Sequence, residues 1–117
     1  MLTFLSTEWE IAYYSEDLQR AIMEFPVGIQ ARYIHLTQRI LLFGPNLGMP
    51  HSRAMGQGLF ELRLKSKEGI GRVFYCILPN QRVVMLHGFV KKSAKTPAKE
   101  LKITRDRMKE MQTDADA

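Results

Sequence analysis

Residues 58–97 read GLFELRLKSKEGIGRVFYCILPNQRVVMLHGFVKKSAKTP. Apolar runs rich in valine, isoleucine, phenylalanine and tyrosine alternate there with short polar segments, a pattern that predicts strands over residues 59–65, 71–78 and 82–90. Because the connecting segments are only five and three residues long, consecutive strands are expected to pair antiparallel. The centre of the fold is therefore expected to be a small antiparallel β-sheet.

The residues before that sheet predict one further strand and two helices. The segment WEIAYY, residues 9–14, has the aromatic composition of a strand. Ser15 suits a helix N-cap, and Pro26 ends the helix that follows. Apolar residues spaced three and four apart predict a second helix over residues 28–43, and the short connection between the two helices favours an antiparallel hairpin.

The remaining segments complete an α+β fold. Residues 46–57 have the composition of a loop. A C-terminal helix over residues 98–111 follows Pro97 and has a weak apolar face, so it is expected to be lightly docked. We therefore expect a single domain, residues 1–117, in which a helix hairpin covers one face of the antiparallel sheet and the other face is partly open.

Positive charge is concentrated in the second half of the chain. The whole chain carries +5, whereas residues 53–95 hold nine lysines and arginines against two glutamates, a local net charge of +7. A small sheet with this much positive charge favours a polyanionic partner such as RNA or DNA.

Composition also disfavours several classes of protein. Cys76 is the only cysteine, so the chain has no intramolecular disulfide and no cysteine-rich zinc site, and its apolar neighbours predict a buried thiol. No apolar run reaches the roughly 18 residues of a membrane span. The N-terminus lacks the basic segment of a signal peptide, so a cytoplasmic location is expected.

Neither a metal nor another cofactor is expected. The basic half of the chain holds no cluster of metal-ligating residues and no glycine-rich phosphate loop. RNA carries its own nucleophile, because its 2′-hydroxyl can attack the neighbouring phosphate once a base, an acid and stabilising cations are supplied. A nuclease built on these residues is therefore expected to be metal-independent and directed at RNA.

Alternation along residues 59–65 assigns one face to the core and the other to solvent. The core face carries Phe60, Leu62 and Leu64. The opposite face, expected to be open, carries Leu59, Glu61, Arg63 and Lys65. Cations recur on the following strands, since Arg72 begins the second and Lys91 and Lys92 end the third.

These cations and the one histidine of the strands are the candidate catalytic residues: Arg63, Lys65, Arg72, His87, Lys91 and Lys92. The histidine has either a structural role or the role of general acid or base. Candidate RNA-contacting residues of the same region are Arg53, Lys67 and Tyr75. Because Tyr75 lies in an apolar run, it is either a core residue or a platform on which a base stacks.

Three short motifs of this region occur together. They are LxELR in the first strand, RVFY at the start of the second, and LHGFVKKxxKTP leading into the C-terminal helix. With the upstream loop GMPHSRAMGQG, this set resembles the phage-derived, HigB-like branch of the RelE/ParE toxin superfamily over roughly residues 44–107. The resemblance adds two RNA-contacting candidates, Phe89 and Lys95, and the matching positions are Arg63, Arg72, Phe89, Lys91, Lys92 and Lys95.

The resemblance implies a RelE-like fold and a toxin of a type II toxin–antitoxin pair. Such toxins typically cleave mRNA, usually on the translating ribosome, and are neutralised by a small helix-turn-helix antitoxin. Two other classes stay open. ParE-like relatives share the fold but inhibit gyrase without cleaving RNA, and a plain RNA-binding module or an inactivated remnant would present the same basic surface. Some members of the superfamily use a histidine or an aspartate near the C-terminus. The end of this chain holds Asp114 and Asp116 but no histidine beyond His87, so the resemblance does not assign the general acid and base.

Overall fold

The computed structural model describes residues 8–91 and 97–116. Within these residues the chain forms three helices and five strands, in the order β1 (Glu10–Tyr13), α1 (Glu16–Met23), α2 (Val27–Phe43), β2 (Ser52–Gly56), β3 (Leu59–Ser66), β4 (Gly69–Leu78), β5 (Arg82–Lys91) and α3 (Ala98–Asp116). The α+β class predicted from the sequence is confirmed.

Local sequence signals set the ends of α1 and α2. The Ser15 backbone is extended, with φ −154° and ψ 162°, and its hydroxyl oxygen accepts a hydrogen bond from the Leu18 amide at 3.1 Å. Pro26 immediately precedes α2, where its missing N–H removes no helical hydrogen bond. Gly44 ends α2 with φ +95°, a value that glycine adopts without steric penalty.

The strands described here form one mixed sheet in the order β1-β5-β4-β3-β2. From β2 to β5 the pairing is antiparallel, as the short connections predict. β1 instead pairs parallel with β5, with Glu10 opposite Arg82. These two strands are far apart in the chain, so no hairpin dictates their direction. The expectation of a wholly antiparallel sheet is corrected at this edge.

Strand β2 lies within residues 46–57, which were expected to form a loop. Its sequence, SRAMG, pairs antiparallel with β3 at the opposite edge of the sheet. This strand has only five residues, most of them small or polar. They show neither alternation nor an apolar run, so the sequence pattern does not predict a strand here.

Each face of the sheet carries its own apolar core. The first core lies under α1 and α2 and consists of Leu18, Ile22, Ile29, Tyr33, Leu36, Ile40, Leu62, Leu64, Val73, Tyr75, Val83 and Met85. The second core lies under α3 and consists of Met108 with Leu59, Phe74, Cys76, Leu78, Val84 and Leu86. Since Met108 and Thr104 are both buried, α3 is docked more firmly than its weak apolar face predicts.

α3 closes much of the face that alternation predicts to be open. Leu59 and Glu61, expected on an exposed polar face, are both 0% exposed. Cys76 lies in the same core and is fully buried, which confirms the prediction of a buried thiol. This burial raises the pKa of the thiol to about 11. No helix in the described ranges has both the length and the hydropathy needed to cross a bilayer.

A bulge in β5 decides which of its side chains reach the α3 side. Leu86 is an extra residue in β5, because the flanking cross-strand pairs are Met85–Tyr75 and His87–Phe74. Beyond the bulge, the side chains directed to the α3 side belong to His87, Phe89 and Lys91. Strict alternation from Val84 would have directed His87 and Phe89 towards α1 and α2 instead.

Candidate nucleic-acid interface

Cross-strand pairing gathers the predicted cations into rows on the α3 side of the sheet. Residues directly opposite each other on antiparallel strands point to the same face. The central row, here called the arginine row, consists of Arg63, Arg72 and Phe89. The row towards the β3–β4 turn consists of Lys65, Ile70 and Lys91. The row on the other side consists of Glu61, Phe74 and His87.

Six members of these rows contact solvent, and four of them are here called the basic surface: Arg63, Lys65, Phe89 and Lys91. Within residues 8–91 and 97–116, no carboxylate lies within ion-pair distance of its three cations. Their charge is therefore available to an anionic ligand, and the half-buried ring of Phe89 lies beside them.

Arg72 was expected on the open surface but is buried in the arginine row. Its side chain is 2% exposed, and its Nη1 donates a hydrogen bond to Glu61 Oε2 at 2.8 Å. On the other side of the carboxylate, Arg53 Nη2 lies 3.6 Å from Glu61 Oε1. A charge is buried at tolerable cost only when it is paired, so Glu61 explains how an arginine can lie here. Arg72 therefore places a fixed guanidinium beneath the basic surface.

His87 lies at the border between the basic surface and the part of the sheet covered by α3. Its Nε2 is hydrogen-bonded to Oε2 of Glu100, in the first turn of α3. The imidazole is 14% exposed, and its ring centroid lies 5.8 Å from that of Phe89. This hydrogen bond to Glu100 orients the ring through Nε2.

Glu100 was not identified from the sequence. It is 13 residues from His87 along the chain, and it belongs to a helix whose docking the apolar pattern predicts only weakly. The signal that could have found it is its position three residues after Pro97, where the first helical turn was expected.

Tyr75 lies on the opposite face and is fully buried, so the interpretation as a base-stacking platform is wrong and the core interpretation is correct. Its ring stacks on Phe60 at a centroid distance of 5.4 Å, and its hydroxyl donates a hydrogen bond to the Pro45 carbonyl oxygen. Burial raises the pKa of the Tyr75 hydroxyl to about 12.

The other candidate residues lie around the basic surface. Arg53 and Lys67 are exposed, Arg53 on β2 next to Glu61 and Lys67 in the β3–β4 turn. Lys92 and Lys95 lie outside the described residues. No group of three or more histidine, cysteine, aspartate or glutamate side chains placed to hold a metal ion occurs in the part of the chain that the structure describes.

Two comparisons with known proteins give a match. The family described as phage derived protein Gp49-like matches residues 20–109. Among solved structures, a doubly substituted variant of the Escherichia coli toxin RelE in the free state superposes with a TM-score of 0.63 at 10% sequence identity. That superposition covers 87% of this chain and 99% of the RelE chain, so the fold is RelE-like. No curated protein sequence matches.

Proposed function

Since the chain belongs to the phage-derived Gp49-like family, and its fold is RelE-like, we propose that it is the toxin of a type II toxin–antitoxin pair. We propose further that it is a metal-independent endoribonuclease that cleaves mRNA on the ribosome in the cytoplasm and so stops translation. The observation that carries the proposal is the basic surface, which lies over the buried arginine of the arginine row and beside a carboxylate-bound histidine.

The three cations of the basic surface are assigned to the RNA backbone. Arg63, Lys65 and Lys91 come from two strands that both flank β4, so they can contact successive phosphates of one strand of RNA. Phe89 offers a ring on which an unstacked base can lie. Binding through these residues requires single-stranded RNA and carries little information about its sequence.

The proposed reaction uses the 2′-hydroxyl of the RNA as nucleophile. A general base takes the proton of the 2′-hydroxyl as the bond between the 2′-oxygen and phosphorus forms. The bond from phosphorus to the 5′-oxygen breaks, and a general acid gives that oxygen a proton, so the products are a 2′,3′-cyclic phosphate and a 5′-hydroxyl. Arg63 and the lysines stabilise the negative charge that develops on the phosphate oxygens. No metal is required for this step, since the nucleophile belongs to the substrate.

His87 is assigned a proton-transfer role in this reaction. It lies in the row next to the arginine row, and histidine is the side chain that most often serves as a general acid or base. Glu100 acts as a positioning residue, because it holds Nε2 and fixes the plane of the ring. Arg72 is not assigned a contact with RNA, because it is paired with Glu61 and only 2% exposed.

The proposed partner is a small helix-turn-helix antitoxin with an acidic segment. The chain carries +5, and the cations of the basic surface attract such a segment electrostatically. An antitoxin that covers these cations would exclude RNA from the same surface.

The proposal is tested by expressing the chain without its partner and measuring growth, protein synthesis and DNA-damage signalling. Growth should arrest, with protein synthesis falling first, and co-expression of the neighbouring antitoxin gene should restore growth. The double variant Arg63→Ala/Lys65→Ala should lose toxicity. Its matched control, Arg20→Ala/Arg39→Ala, removes the same charge from the helices on the other face and should stay toxic.

Two results would contradict the proposal. DNA-damage signalling with continuing protein synthesis would identify a ParE-like gyrase inhibitor instead. Normal growth with a folded, abundant protein would identify an inactivated remnant.

A further inference from the structure

A small cavity lies at the edge of β3, just past the point where β2 begins. It is lined by residues of three segments: Arg32 from α2, Pro50 and His51 from the turn before β2, and Arg63 and Lys65 from β3. The amide of Arg63 donates a hydrogen bond to the His51 carbonyl oxygen at 2.9 Å, which ties this turn to β3. The cavity volume is about 130 Å³.

The lining carries positive charge and no carboxylate. Three of the five lining residues are arginine or lysine, and a fourth is a histidine. In the described ranges no ion pair joins Arg32, Arg63 or Lys65 to an acidic side chain. Three basic residues border this one small space, so an anion placed there would be attracted to each of them.

Arg32 provides the second observation. Its Nε is buried and makes no hydrogen bond within residues 8–91 and 97–116. More than about 90% of buried polar groups in proteins have a hydrogen-bond partner, so a buried donor at the wall of a basic cavity calls for an acceptor. A ligand oxygen in the cavity supplies one when the Arg32 side chain turns towards it.

We infer that this cavity is a binding site for one phosphate group. Guanidinium groups match phosphate oxygens in geometry and charge, and the volume exceeds the roughly 30 Å³ that one water molecule occupies in the liquid. Arg63 and Lys65 belong both to the cavity and to the basic surface. This step rests on the proposed function, in which the phosphate belongs to the RNA strand. It lies next to the phosphates that the basic surface holds. A free inorganic phosphate shares the same chemistry.

The test compares Arg32→Ala with Arg39→Ala, which removes the same charge two turns further along α2. Two ligands are titrated separately: inorganic phosphate, followed by amide chemical shifts of Arg63 and Lys65, and a 2′-O-methyl RNA oligonucleotide that cannot be cleaved. Phosphate should shift these amides in the native protein and in Arg39→Ala but not in Arg32→Ala. RNA affinity should fall about tenfold in Arg32→Ala, with a salt slope smaller by about 0.7 than that of Arg39→Ala.

The outcomes separate this inference from the proposed function. Equal behaviour of the two variants with both ligands overturns the phosphate site. Loss of the phosphate shifts alone, with RNA affinity unchanged, upholds the site and assigns it to free phosphate. A native protein that binds phosphate but no RNA, and does not cleave mRNA on added ribosomes, upholds the site and contradicts the proposed function. If Arg32→Ala does not fold, Arg32→Lys keeps the test decisive: it retains the charge but lacks Nε, and should bind phosphate more weakly than Arg39→Ala does.

Discussion

At the scale of single residues, Arg72 shows that burial decides which cations of the sheet a ligand can reach at the basic surface. Alternation assigns Glu61 and Arg63 to one face correctly, and the register places Arg72 between β3 and β5 on that face. The burial of each side chain depends on which elements cover it. Among the described residues, Glu61 and Arg72 are the most deeply buried charged side chains, and they form an ion pair at 2.8 Å. The accessible positive charge is therefore supplied by Arg63 and the lysines rather than by Arg72.

Replacing Arg72 by methionine should lower the free energy of unfolding by about 3 kcal/mol, because Glu61 then loses its nearest buried cation. Arg53→Ala should cost less than about 1 kcal/mol, since that arginine is half exposed and 3.6 Å from the carboxylate. Urea unfolding of both variants measures the difference. The double variant Glu61→Leu/Arg72→Met should regain much of the loss, and equal costs for the two single variants would contradict the assigned role of the pair.

His87→Gln should reduce RNA cleavage by about 10²-fold or more while leaving RNA affinity unchanged, because a proton-transfer group acts on the rate and not on binding. Glu100→Gln keeps a hydrogen-bonding side chain beside the ring and should reduce the rate less. Single-turnover cleavage and equilibrium binding of the uncleavable oligonucleotide give the two quantities. A His87→Gln variant that cleaves at the native rate would remove His87 from the mechanism.

At the scale of elements, the sequence predicts strands and helices well and their docking poorly. The runs of β3, β4 and β5 and the N-cap of α1 carry strong local signals, and their predicted positions are confirmed. β2 carries none, and α3 has few apolar residues, so its coverage of the sheet could not be read from its sequence. The bulge at Leu86 was equally hidden, because VVML is apolar at every position and fits either register. That bulge turns His87 and Phe89 to the α3 side.

The packing of α2 on the sheet depends on the absence of a side chain at Gly71. A Cβ atom there would lie 2.5 Å from Cγ2 of Ile29, which is fully buried. Gly71→Ala should therefore lower the free energy of unfolding by about 1–3 kcal/mol. In an Ile29→Ala background the same change should cost less, since the clashing methyl group is gone. Equal costs in the two backgrounds, measured by urea unfolding, would show that this contact does not limit the packing.

At the scale of the whole molecule, one sheet separates two surfaces of different character. Helices α1 and α2 cover one face, whereas the other is shared between α3 and the basic surface. The charge asymmetry of the sequence predicted which half of the chain would carry the cations. It could not predict the cavity beside Arg32, because that cavity joins α2, a turn and β3, which are distant in the chain.

The buried thiol of Cys76 and the buried hydroxyl of Tyr75 should make the protein less stable at alkaline pH. Burial raises the pKa of the Cys76 thiol from 9.0 to about 11 and that of the Tyr75 hydroxyl from 10.0 to about 12. The unfolded chain releases these protons at lower pH than the folded chain, so stability is complete below about pH 9 and is lost progressively up to pH 12. Urea unfolding across that range measures the loss, and a free energy of unfolding that stayed constant to pH 12 would contradict the burial of both groups.

The chemistry of the RNA ends tests the central claim most directly. Transcripts from cells that express the chain would be mapped at their new 5′ ends, and the terminal group at each end would be determined. The mechanism predicts new ends within coding regions that carry a 5′-hydroxyl, and their loss in the Arg63→Ala/Lys65→Ala variant but not in Arg20→Ala/Arg39→Ala. New ends that carry a 5′-phosphate, or growth arrest with no new ends at all, would contradict it.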